Sequence, residues 1–262
     1  MISGTMRNKK AFKRALMGAI CALFWLGVWT VLYFAVDREV LIASPLKVFM
    51  RLFEMLGEKQ LYIKVANSLL AILKGYLSAL AVGTALAVMT SKSELLYSIF
   101  KPFMNVVRST PVASFIILAL VWMNKRSVPV FTSFLMVMPI VWSNISTGIN
   151  STDKDILEMS KAYKVPKRKI ITKVYVQAVM PEVYNSVTTG LGFAWKSGVA
   201  AEVLSTPLNS IGTELYNSKV YLETTDLFAW TAVIIIMSAV LEKAAVYLLG
   251  KLFNRYKGGE TK

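Results

Sequence analysis

Six long apolar runs, separated by shorter polar and charged stretches, dominate the chain. They cover residues 15–36, 65–90, 110–123, 128–149, 178–204 and 227–250, and hold few or no ionised side chains. A helix needs roughly 20 such residues to cross a hydrocarbon core of about 30 Å. The pattern therefore predicts an all-α integral membrane protein with about six transmembrane helices. The run 110–123 is short by itself, and residues 103–107 extend it at its N-terminal side. The run 128–149 contains Pro129 and Pro139, which a membrane helix tolerates where neighbouring groups satisfy the freed carbonyls.

The stretches between the runs carry their own patterns. In 37–64, Ser44-Pro45 opens a segment in which Leu46, Phe49, Leu52, Phe53 and Leu56 recur at helical spacing, predicting an amphipathic helix on the bilayer surface. The second run holds Gly75, Ala79, Gly83 and Ala87 at steps of four residues. Small side chains at that spacing let two helix backbones approach closely. In 151–173, Asp153, Asp155 and Glu158 come first and Lys161 and Lys164 follow, matching the polarity of a helix dipole. Pro166 stops that helix, the basic trio Lys167-Arg168-Lys169 sits in the break, and an amphipathic run starts at Ile170. The reading is a short charged helix, a kink, and a helix returning to the membrane. A passive channel has no need of such a device; docking of a cytoplasmic partner does.

Composition agrees with the runs: 55% of residues are hydrophobic and 17% charged, and mean hydropathy is +0.53. The net charge of +15 would suggest nucleic acid in a soluble protein, but its distribution sets membrane orientation instead. With residue 1 inside, inner segments carry more than twice as many lysines and arginines as outer ones, in the sense of the positive-inside rule. Lys125 and Arg126 are the exception, on a short outer turn. The chain divides into a cytoplasmic basic N-terminus (1–14), a transmembrane domain (15–250) with the special segment 153–173, and a basic cytoplasmic tail (251–262). The apolar part of the N-terminal region runs about 22 residues with no small-residue cleavage site after it, so it reads as an uncleaved signal anchor. Cys21 is the one cysteine and there is no histidine. That excludes a disulfide framework, zinc and haem sites, and nucleophiles activated by histidine. No metal site is expected. The stretch 190–197 ends Trp195-Lys196-Ser197 and approximates a phosphate loop, but Trp195 fills the second glycine position. An indole there would block the backbone from phosphate, so the chain is expected to hold no nucleotide and to catalyse no reaction itself.

At the inner segment the sequence resembles the permease subunits of bacterial ABC importers. Their signature reads Glu-Ala-Ala, three residues, Gly, nine residues, Ile, one residue, Leu-Pro. Here Glu158-Met159-Ser160 stands for the first triplet, Lys164 occupies the glycine position, Val174 the isoleucine, and Val176-Gln177 replaces Leu-Pro, with Met180-Pro181 shortly after. Three further stretches resemble the branch serving nitrate, taurine and alkanesulfonates: Ala43-Ser44-Pro45 with its helix, Arg108-Ser109-Thr110-Pro111, and Gly192-Phe193-Ala194-Trp195-Lys196 through Ala201-Glu202-Val203-Leu204. The resemblance covers roughly residues 40–255. It implies that 155–166 is a coupling helix, with Asp155, Glu158, Met159, Ser160, Ala162, Tyr163, Lys164, Val165 and Pro166 contacting a separate ATPase. It also implies a homodimer in a bacterial cytoplasmic membrane, with both termini cytoplasmic, served by two ATP-binding subunits that hold ATP and Mg and by an extracellular or lipid-anchored solute-binding protein. Because lysine seldom adopts the positive φ that glycine permits, a different kink is expected at Lys164, with Pro166 setting it.

Ionisable groups inside spans are expensive and become candidates for function. Glu242 and Lys243 fall near the inner end of the last run, where long side chains reach the interface. Lys196 and Glu202 lie mid-run and six residues apart, on different sides of one helix. Thr188, Trp195 and Glu202 share a face at seven-residue steps. That face is expected to line a translocation pathway with Lys196, and with Ser109 and Thr110 at the third-span entry. The competing expectation pairs Glu202 with Lys74 or with Lys196 of a second copy. An ion-coupled secondary transporter is the alternative function; it would leave the inner helix unexplained. The solute is not legible.

Overall fold

A computed structural model describes the backbone of residues 2–258 and the side-chain surroundings of residues 16–251. The expectations for residues 1 and 259–262, and for the side chains of the basic ends 1–15 and 252–262, lie outside the described residues. All regular structure among the described residues is helical. The elements are α1 (Ile2–Val36), α2 (Pro45–Gly57), α3 (Lys59–Thr90), α4 (Glu94–Ser109), α5 (Val112–Trp122), α6 (Val128–Asn150), α7 (Lys154–Ala162), α8 (Lys167–Ile170), a π-helical turn (Ile171–Tyr175), α9 (Val176–Ser205), α10 (Ile211–Val220) and α11 (Thr224–Gly258).

The core is the three-helix unit α3, α6 and α9. The small-residue stripe of α3 makes it possible: a Cβ on Gly75 would lie 2.2 Å from the Val130 carbonyl oxygen, and one on Gly83 would lie 2.9 Å from Val141 Cβ. Gly198 of α9 packs equally tightly on Ile72 and Ser133. Polar links run through the same seams. Tyr76 donates to the Val187 carbonyl at 2.9 Å, and Trp142 Nε1 donates to Thr90 Oγ1 at 3.0 Å.

Four helices are long and apolar enough to cross a membrane, or five if the bent pair α4–α5 is one span. The expected six is not reached on that measure. Two elements account for the difference. The third predicted span does not run straight from 103 to 123: Thr110 is extended before Pro111, and α4 and α5 meet at 104°. The steric clash between a proline ring and the preceding residue disfavours helix at that point. α5 alone, at 11 residues, is too short to cross. The fifth predicted span, α9, is 30 residues long but carries Lys196, Glu202 and a series of hydroxyls. It packs against α3, α5, α6, α10 and α11, and a helix enclosed by protein can hold polar groups that lipid would exclude.

α1 stands apart. None of its apolar window is buried; it meets the body through Trp29, which donates to the Ala43 carbonyl at 3.2 Å and stacks on Phe228. α2 begins at Pro45, as expected, and buries Val48 and Met55 while Leu46, Phe49 and Phe53 stay exposed. Arg51, on its inward side, donates through Nε to Asp226 Oδ1 of α11 at 2.8 Å and through Nη1 to Glu58 at 2.8 Å. The Asp226 carboxylate holds the Arg51 guanidinium even further above neutrality than usual.

Candidate functional site

The α7 segment is built by three local devices. Asp153 caps its start, accepting the N–H of Asp155 at 2.8 Å and of Ile156 at 3.4 Å. At its end the N–H of Val165 reaches the Ser160 carbonyl at 2.9 Å and that of Lys164 reaches Lys161 at 3.0 Å. This crossed pair of bonds is a Schellman ending, which places its penultimate residue in the left-handed region. Lys164 has φ 52°. The expectation of a different kink is therefore corrected: lysine takes up the conformation that glycine would, because the two bonds close only with that φ, and Pro166 then starts α8.

Ser160 faces the body and is buried, and Val165 is half-buried. Asp155, Glu158, Met159, Ala162, Tyr163, Lys164 and Pro166 are exposed. Ile156, Met159 and Tyr163 are 41%, 56% and 80% exposed, and their spacing of three and four residues puts them on one face of α7. Ile156 is not marked by the charge pattern of this segment; its apolar spacing to Met159 and Tyr163 is the signal for it. An exposed apolar stripe on a charged surface helix is the kind of patch that marks interaction sites.

The residues expected along a pathway fall in three places. Thr188, Trp195 and Lys196 line one recess of about 220 Å³ between α9 and α11, together with Ser238, Leu241 and Glu242. Within it Thr188 donates to the Tyr184 carbonyl at 2.9 Å, and Trp195 is buried with its indole N–H on the Ile234 carbonyl at 3.1 Å. Lys196 is exposed. Ser109 and Thr110 lie at the α4–α5 bend, both donating to the Val106 carbonyl, next to Arg108, whose Nη2 donates to Pro139 at 2.7 Å. Glu202 is in neither place. It is 1% exposed and hydrogen-bonded to Ser68 and to the backbone of Gly212. Lys74 is exposed, and Glu202 forms no ion pair with a lysine among the described residues. No group of His, Cys, Asp and Glu side chains able to hold a metal occurs among them either.

Residues 79–255 match the family described as "Binding-protein-dependent transport system inner membrane component". Among curated proteins, the chain is 22% identical over 206 residues to the nitrate import permease protein NrtB of Leptolyngbya laminosa, covering 75% of this chain and 73% of that one. It is 19% identical over 162 residues to the bicarbonate transport system permease protein CmpB of Synechococcus elongatus, covering 62% and 58%. Among solved structures, an amino acid ABC transporter with histidines superposes with a TM-score of 0.60 at 12% identity, covering 78% of this chain and 95% of that one. The inward-facing methionine ABC transporter MetNI superposes at 0.56 and 15% identity, covering 72% and 93%. These superpositions carry the fold alone.

Proposed function

The chain belongs to the family of binding-protein-dependent transport system inner membrane components, and from that premise we propose how its parts divide the work. It is a multi-pass membrane protein, the permease subunit of an ABC importer, and not itself an enzyme. α7 with Tyr163–Pro166 docks into a separate subunit that binds Mg-ATP and hydrolyses it. Two copies of the chain pair, each served by one such subunit, and a solute-binding protein delivers cargo to the opposite face. The α7 end is the cytoplasmic end, in a bacterial inner membrane, with the basic segments 1–14 and 251–262 on that side and the domain 15–250 between them.

The exposed Ile156–Met159–Tyr163 stripe is the observation that carries this reading. It sits between two helices of the core, on an element capped at both ends by its own bonds, so it is displayed rather than disordered. The test is isolation of the chain from membranes. An ATPase is expected to accompany it, and to be lost when residues 158–163 are scrambled; an ATPase that stays bound to the scrambled chain would sink the docking assignment.

For cargo we propose a small oxyanion. Nitrate and bicarbonate, named for the relatives, are compact monovalent oxyanions. In this chain Lys196 offers an exposed ammonium at a recess that also presents the Ser238 hydroxyl, and hydroxyls and cations are the donors such an anion requires. Ser109 and Thr110 line the pathway at the bend. Trp195 supports the recess wall and Glu202 does not touch cargo. Lys196→Gln is expected to lower uptake of nitrate or bicarbonate at least tenfold (about the worth of one charge-assisted contact) while ATP hydrolysis persists. Equal uptake by both forms would remove Lys196 from the pathway.

A further inference from the structure

The joint between α9 and α10 is not used by any step above. α9 is the far part of a helical rod that runs from Lys167 through α8 and the π turn to Ser205. At about 1.5 Å per residue such a rod spans a bilayer. Its near end is tied to α7 through Pro166. At its far end Glu202 Oε2 accepts two hydrogen bonds, from Ser68 Oγ of α3 at 2.8 Å and from the backbone N–H of Gly212 at 3.0 Å. Ser68 Oγ in turn accepts the N–H of Ile211 at 3.0 Å. The first N–H groups of a helix have no partner within it, so side chains of α9 and α3 satisfy the start of α10. The fit is tight: a Cβ on Gly212 would lie 2.4 Å from Glu202 Cβ. The connecting residues reverse sharply, with φ of 45° at Thr206 and 56° at Asn209. Asn67 Nδ2 donates to the Asn209 carbonyl at 3.1 Å, and Lys64 pairs with Glu214 at 2.8 Å.

We propose, resting on the importer reading, that Glu202 is a positioning residue that fastens α10 and α3 to the end of the α9 rod, so that displacement begun at α7 reaches the opposite end as movement of one body. The argument is geometric. A buried oxygen that takes donors from two elements cannot release either without leaving a polar group unpaired in a dry site. Helical structure continues through the π turn and past Pro181 to Ser205, and packed elements of this kind shift as units.

The test uses the full complex in nanodiscs, with Cys21→Ser and a reporter, Ser218→Cys, on the buried side of α10. A membrane-impermeant maleimide reads how α10 is seated. In the unmodified joint, ATP with vanadate is expected to change the reporter rate about tenfold, the scale of one charge-assisted hydrogen bond gained or lost. Glu202→Ala is expected to raise the rate without nucleotide by a similar factor and to abolish its response to ATP, while ATP hydrolysis continues. Glu202→Gln keeps an acceptor oxygen and is expected to restore both within about twofold. If Glu202→Ala fails to assemble, Ser68→Ala removes one donor and is expected to give the same pattern at about threefold. An unchanged response in the alanine variants, or Glu202→Gln behaving as Glu202→Ala, would overturn the joint. An unmodified complex that hydrolyses ATP without any change in reporter rate would overturn it as well. A complex with no ATP hydrolysis at all would overturn the importer reading instead, and the nucleotide-free rates would still decide the joint.

Discussion

The two ends of the molecule handle charge in opposite ways. At the α10 end, charged groups are tied to one another inside the chain: Lys47 with Glu39, Arg51 with Glu54, Glu58 and Asp226, and Lys64 with Glu214. Lys64 also lies over the Trp230 ring. At the α7 end, Asp155, Glu158 and Lys161 take part in no ion pair among the described residues, and three apolar side chains beside them are open. One end matches part of its charge within the chain, while α7 presents an apolar stripe beside charges that no ion pair among the described residues matches. A surface whose charges are already matched keeps its shape without help, whereas one with unmatched charge around an apolar stripe gains most when a complementary surface covers it.

Breaking the open end should have the largest effect. Met159→Asp combined with Tyr163→Asp places charge at the centre of the stripe, and co-isolated ATPase activity is expected to fall about 100-fold, as when central contacts of an interface are lost. Thermal stability of the chain in detergent should stay within about 0.5 kcal/mol, because neither side chain is packed inside it. A parallel loss of stability would show that the stripe belongs to the chain's own core.

The closed end should respond in the other sense. Arg51→Ala strands the partly buried Asp226, and unfolding monitored by tryptophan fluorescence is expected to show a loss of about 1–3 kcal/mol. Glu158→Ala, at the open end, is expected to stay within about 0.5 kcal/mol. If the two substitutions cost the same, the contrast between the ends is not one of internal pairing.

How much of this contrast the sequence reveals depends on what constrains each element. A long apolar run leaves a plain mark whether it faces lipid or the protein core, so α1, α3, α6 and α11 coincide with apolar runs. α10 leaves none: at ten residues and low hydropathy it reads as part of a connecting segment, because its place depends on Ser68 and Glu202, distant in sequence. Periodicity puts Trp195 and Glu202 on one face of α9, but a face can turn inward as readily as toward a pathway. Only the folded chain shows the partners, the Ile234 carbonyl for Trp195 and the Gly212 N–H for Glu202. The α4–α5 bend is hidden because the apolar run continues across Pro111. Lys164 is misjudged for an energetic reason: residue preference predicts its φ, and two backbone bonds outweigh the preference.

The smallest effect compares the same motif at both ends. α10 also finishes with crossed bonds, from Glu223 to Ser218 at 2.9 Å and from Leu222 to Lys219 at 3.3 Å, and Leu222 has φ 60°. Glycine relieves the steric cost of that conformation, so Lys164→Gly and Leu222→Gly should each raise stability by about 0.5–1 kcal/mol. If Lys164 also contacts the ATPase, only that variant should weaken co-isolation.

The π turn at Ile171–Tyr175 sets a rotational phase. A π turn accommodates one residue more than the α-helical path would, and each residue turns a helix by about 100°. Everything beyond Tyr175 is therefore rotated relative to α8 by one residue's worth of turn. The azimuth at which Glu202 meets α10, and Lys196 meets the recess, is fixed by a single inserted residue near the α7 end. Removing one residue from this turn would leave every side chain of α9 intact and direct each of them to the wrong neighbour.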